Sequence, residues 1–230
     1  MLAYYYLGNT EKALEYARKA DNDKSKRTKR SNEVAILLND SNIENQKKAL
    51  EIAKTSKRFS SAIESKLYLA NCLYEGKFVE QNKAEAFKIV SQVNKLYFGD
   101  GLSGMSVLYA RLWLWRYYWE NGDKKMADNI KAQILKFKLM SSTPSILCAF
   151  AFKDDRSTYF VSSVGFKRND EYVKYWLNVA EKEEASMPQW ADMTHIYLYN
   201  IYKFNDLLKD EASAERIAKY IAEKSQKLEE

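Results

Sequence analysis

A chain of 230 residues, 46% of them hydrophobic and 30% charged, can bury a sizeable core and is too rich in apolar residues to be a disordered tract. Seven glycines and two prolines are too few breakers for a turn-rich β fold, and the two cysteines, Cys72 and Cys148, far apart in apolar surroundings, make neither a disulfide framework nor a zinc spacing. The net charge of +6 sets 37 basic residues against 31 acidic ones along most of the chain, which fits solvated helix faces better than a nucleic-acid surface, and no apolar run is long enough to span a membrane.

Along the chain, the first segment, Met1 to Tyr6, has no basic region and no continuous apolar core, so it does not read as a signal peptide. With two free thiols expected, that reading favours a reducing compartment and a cytoplasmic location. A repeat then begins. Ala13, Ala49, Ala86, Ala127, Val173 and Ala214 stand 36, 37, 41, 46 and 41 residues apart. Four positions before them come Asn9, Asn45, Asn82, Asp123, Asn169 and Asp210. Asn and Asp are 27 of the 230 residues, too few for six of six such positions to arise readily from the choice of alignment. Three positions after the anchors come Tyr16, Ile52, Ile89, Ile130, Trp176 and Ile217, and seven after come Ala20, Ser56, Val93, Ile134, Ala180 and Ile221.

Each part has a physical reason. Asn or Asp is a preferred N-cap, the anchor one turn later permits close helix approach, and the next two positions continue one apolar stripe. Every anchor therefore marks the second helix, B, of a pair whose first helix is A. Helix pairs are expected over 1–21, 25–56, 58–97, 103–140, 144–185 and 188–228. Gly8, Gly76, Gly122 and Gly165 fall at the turns before B helices, while Gly99, Gly101 and Gly104 form the connection between the third and fourth pairs. Ile146 to Phe166 has a local pattern that suits a β-hairpin, but the repeat register favours a helix broken near Lys153–Arg156.

Tyr5-Tyr6-Leu7-Gly8-Asn9-Thr10-Glu11-Lys12-Ala13, continuing to Ala20, resembles the second half of a tetratricopeptide repeat. Tyr68 to Val79, continuing to Asn82 and Ala86, resembles the related Sel-one-like repeat, as do Gly165 to Asn169 with Trp176 and Ala180. The second and last pairs lack the turn glycine, and Val173 stands where the family has Ala. The resemblance implies one domain over 1–230, a right-handed α-solenoid of about six antiparallel helix pairs, all-α, whose A helices line a concave groove that holds peptides or partner domains. It also puts Met1 about halfway along an A helix. Either the first repeat is degenerate or the chain is part of a longer protein. If Met1 enters a half A helix, the B helix around Leu14 and Ala17 has too little cover, so that packing on another chain, self-association included, or on upstream sequence is expected.

Other motifs carry less. Gly99-Asp100-Gly101-Leu102-Ser103-Gly104 is a literal G-x-G-x-x-G, but it follows a helical segment and has no βαβ unit around it. The only histidine, His195, lies beside tyrosines with no triad or metal partners, Asp154-Asp155 reads as a turn or solvated face, and the basic run Lys24 to Arg30 as a solvated helix start. Six aromatics crowd Tyr109 to Trp119 and go right round a helix. Carried over residue by residue, the resemblance makes Trp115 and Tyr118 packing residues and Tyr109, Arg116, Trp119 and Glu120 groove-facing, with Asn71 and Tyr74 likewise in the third pair. The expectation is a non-enzymatic module without cofactor or metal, binding a protein or peptide through those six residues on one exposed concave surface. The rival readings are a binder of nucleic acid or another polyanion, and the regulatory part of a longer protein.

Overall fold

The computed structural model describes residues 4, 7–22, 31–40, 42–55, 63–95, 102–137, 143–153, 166–187, 191–204 and 209–229. Among them there is no strand, so the chain is all-α. The helices are α1 Thr10–Asp21, α2 Ser31–Asn39, α3 Ile43–Thr55, α4 Ile63–Glu75, α5 Lys83–Lys95, α6 Leu102–Glu120, α7 Lys124–Leu135, α8 Pro144–Lys153 and α9 Asp170–Val179. A π-turn over Ala180–Glu184 extends α9, and α10 Ala191–Phe204 and α11 Glu211–Glu229 complete the order. The last five expected spans each hold two of these helices, to within a residue at the ends, whereas 1–21 holds α1 alone among the described residues; Ile146 lies in α8, a helix and not a hairpin. The basic run, Asp154-Asp155, Gly99, Gly101 and Gly165 lie outside the described residues.

Caps explain where the second helices start. The side chains of Asn9, Asn82, Asp123, Asn169 and Asp210 accept from the backbone N–H three residues on, at 2.9–3.1 Å. The second repeat departs from the expected register. Asn45 lies inside α3, its side-chain amide donating to Asp40 at 2.8 Å, and Asn42 caps α3 instead, accepting from Glu44 N–H at 2.9 Å. Both Asn42 and Asn45 can cap by type, so the local sequence carried no way to choose between them. Asn42→Ala is expected to destabilise the protein by about 1 kcal/mol, and Asn45→Ala by less, as read from urea midpoints.

At the turns, Gly8, Gly76 and Gly122 adopt φ of 74°, 69° and 78°. Open space surrounds the Gly122 Cα, so the left-handed backbone, not crowding, requires glycine there. Gly104 is a correction. It belongs to the first turn of α6 and is buried, not part of the connection.

Every helix packs on the next along the chain, with the π-turn standing between α9 and α10. Further packing joins α2 to α4, α4 to α6 and α6 to α8. Helix α6 thus packs on α4, α5, α7 and α8 and its side chains reach α9 as well, and a helix surrounded in that way must be apolar on all sides. That is why its aromatics go right round it. Trp113 stacks on Tyr117 at 5.6 Å and meets Tyr74 of α4, whereas Trp115 meets Phe152 of α8 and Tyr172, Tyr175 and Trp176 of α9. Among the described side chains of α2, α4, α6 and α8, only Glu75 and Glu120 are exposed. The second helices carry the solvated faces.

At the N-terminal end, Ala13 and Ala17 are buried against Ile36 of α2, which corrects the expectation that Ala17 lacks cover. The exposed apolar side chains there are Leu7, Tyr16 and Ile43.

Candidate functional site

The six residues expected on an open groove divide in two. Tyr109 is 2% exposed and packs near Cys148 of α8, so it is a core residue and leaves the set. Trp119 is half-buried, stacked on Trp115 at 5.5 Å and tilted against Tyr175 at 5.1 Å. The other four come together, but in the interior. Asn71, Tyr74 and Arg116 are buried, and only Glu120 reaches water. The expected exposed concave surface is thus corrected. The first helices of successive pairs pack on one another and close over these side chains, an effect of tertiary packing that helical periodicity does not contain.

Arg116 is the centre of this group. Its Nη2 donates to Asn71 Oδ1 at 3.2 Å and its Nη1 pairs with Glu75 Oε1 at 3.0 Å. Its Nε lies 3.9 Å from Glu120 Oε1, a charge neighbour beyond hydrogen-bond range. The guanidinium sits 4.5 Å from the Tyr74 ring centroid and 5.6 Å from that of Phe166. Glu120 accepts from two phenols, Tyr74 of α4 at 2.5 Å and Tyr172 of α9 at 3.0 Å. Burial first, and then the Glu120 carboxylate, hold both phenol pKa values well above the usual range. Such groups stay neutral donors and offer no base or nucleophile at neutral pH. Glu75, Tyr172 and Phe166 were missing from the sequence-derived set. Glu75 follows Tyr74 directly, but nothing local marks Tyr172 and Phe166 as partners of α6.

His195 has a structural setting. Its Nδ1–H donates to the Ala191 carbonyl at 2.6 Å, and its ring stacks on Tyr220 of α11 at 4.1 Å. Cys72 and Cys148 are buried free thiols, and burial pushes the Cys72 pKa up to about 11. A deeply protonated thiol is a poor nucleophile. Among the described residues no helix is long and apolar enough to cross a membrane.

An open recess of about 550 Å³ lies elsewhere, between α1, α2 and α3. Leu14, Leu37 and Ile52 give it an apolar floor, and Arg18, Lys47, Lys48, Glu44 and Glu51 give it a rim of both signs. Arg18 Nε pairs with the buried Glu33 at 2.9 Å and Lys47 with Glu44 at 2.9 Å. No family model matches this chain, and neither does any curated protein or solved structure.

Proposed function

We propose that this chain is a non-enzymatic interaction module of the tetratricopeptide and Sel-one-like kind, which holds a protein or peptide partner in a reducing compartment. The observation that carries the reading is the recess between α1, α2 and α3, an apolar floor with a mixed-charge rim. That surface fits a peptide that inserts an apolar side chain and pairs its flanking charges. The solenoid arrangement is supported by the contacts. Second-neighbour packing joins α2, α4, α6 and α8, and among the described residues the second helices have no packing of comparable extent on one another. Close inner helices and splayed outer ones give a curved stack with clefts on its outer side. A turn of Asn121 to Asp123 between α6 and α7 suits antiparallel neighbours.

Protein is favoured over a polyanion by the pairing of cations with carboxylates on the described faces, as in Lys19–Glu15, Lys54–Glu51 and Lys131–Glu183. The test is affinity capture with the full chain, repeated with Leu14→Ala and with the exchange Lys48→Glu plus Glu51→Lys. A partner of this recess is expected to be held roughly tenfold or more weakly by both variants. Partners held equally by wild type and both variants would remove the recess from the proposal.

A further inference from the structure

The π-turn carries three carboxylates, and each goes to a different helix. Glu181 pairs with Arg216 of α11 and lies beside the Tyr202 phenol of α10. Glu183 pairs with Lys131 of α7 at 2.8 Å. Glu184 turns inward, is wholly buried, and takes the backbone N–H of Ser145 in the first turn of α8 at 3.2 Å. The turn closes through Ala185 N–H donating to the Ala180 carbonyl at 2.8 Å, one residue farther back than an α-helix would reach. The inserted residue re-aims the side chains after it, which is how four consecutive residues can address three directions.

Glu184 differs from its two neighbours because no cation among the described residues meets it. From α8 it is faced by the neutral thiol of Cys148, whose ionisation is opposed first by burial and then by the carboxylate. Of the titratable groups of α10, Tyr202 turns to Glu181, His195 to Tyr220 and Asp192 to Lys224. Lys131 of α7 and Arg216 of α11 are engaged by Glu183 and Glu181. The Glu184 Oε1 atom is buried with no hydrogen-bond partner, and so is the Thr143 hydroxyl at the same end of α8, while the Ser145 hydroxyl lies near enough to the carboxylate to favour its charged form. An ionised carboxylate in that position has only the buried Ser145 contacts and, among the described residues, no counter-charge, whereas a protonated one is a neutral donor and acceptor.

We propose that the π-turn is a proton-operated latch, closed on the start of α8 when Glu184 is protonated and released when it ionises. Release frees the junction through which α8, α9, α10 and α11 meet.

Burial raises the Glu184 pKa from 4.5 to about 7, with the Ser145 hydrogen bonds opposing. The closed state therefore binds the proton more tightly than the open one. Its stabilisation is full below about pH 4.5 and is lost as pH rises through about 7. Amide hydrogen exchange on the full chain tests this, expressed as protection over intrinsic rates. In the wild type, protection of Ser145 and Ala185 is expected to fall roughly tenfold between pH 6 and pH 8.5. Glu184→Gln, which keeps the shape and removes the charge, is expected to give protection independent of pH there. Carbon-13 NMR titration of the wild-type Glu184 carboxyl is the second measurement, and it needs no variant. Flat wild-type protection, an equal pH-dependent loss in Glu184→Gln, or a carboxyl that titrates below pH 5 would each overturn the latch.

Discussion

Arg116→Ala is expected to lower the unfolding free energy by about 3 kcal/mol, the lower end of the range for breaking a buried ion pair by removing one partner. The side chain is buried, and its guanidinium donates to Asn71, pairs with Glu75 and lies over Tyr74. Truncation leaves a space between Tyr74 and Phe166 and strips Glu75 of its cation. The partner carboxylates are 32% and 35% exposed, so water can solvate part of what the arginine held, which keeps the cost from the top of the range. Arg116→Lys is not a mild change, because a point charge cannot replace the planar fork that reaches Asn71 and Glu75 at once. Glu120→Gln is milder, at about 1 kcal/mol, since an amide oxygen still accepts from one of the two phenols. Urea unfolding measures all three. An Arg116→Ala protein within about 1 kcal/mol of wild type would show that the arginine behaves as a surface ion pair.

Much of this architecture is legible from sequence because it rests on local chemistry. The N-caps Asn9, Asn82, Asp123, Asn169 and Asp210 stand where the repeat puts them, and the six anchors are all buried. Local reasoning fails where two residues have equal local claims, as with Asn42 and Asn45. It fails again where exposure depends on the next helix pair. Asn71, Tyr74 and Arg116 do meet, as the carry-over implied, yet they meet in the interior, because α4 and α6 pack directly on one another. The apolar residues all round Tyr109 to Trp119 were a signal of a helix enclosed on every side, and that composition argues against an open groove on the same helix. Glu184 had no sequence signal. Its neighbours Glu181, Glu183 and Lys182 read as a solvated charged face, and only the π-turn directs one of the four inward.

Trp115→Ala is expected to cost about 4 kcal/mol and to divide unfolding into two phases. The indole is fully buried, and five aromatic rings surround it: Trp119, Phe152, Tyr172, Tyr175 and Trp176. These rings brace one another, with Phe152 at 5.0 Å from Tyr172 and Tyr175 at 5.6 Å from Trp176. A braced wall cannot collapse into the vacated volume, so the cavity term adds to the lost transfer free energy. Trp119→Ala, on the half-buried neighbour, removes contacts that water can partly replace and is expected to cost about 1 kcal/mol. Four of the five rings around Trp115 come from α8 and α9, so the indole belongs to the seam between the helices up to α7 and those from α8 onward. In a stack where each pair touches only its neighbours, weakening one seam lowers the coupling between the two sides. A loss spread evenly over one cooperative transition, with the urea slope unchanged, would mean that the chain folds as a single unit. Two separated transitions in Trp115→Ala, against one in Trp119→Ala, are the expected outcome, read by tryptophan fluorescence and far-UV circular dichroism on the same samples.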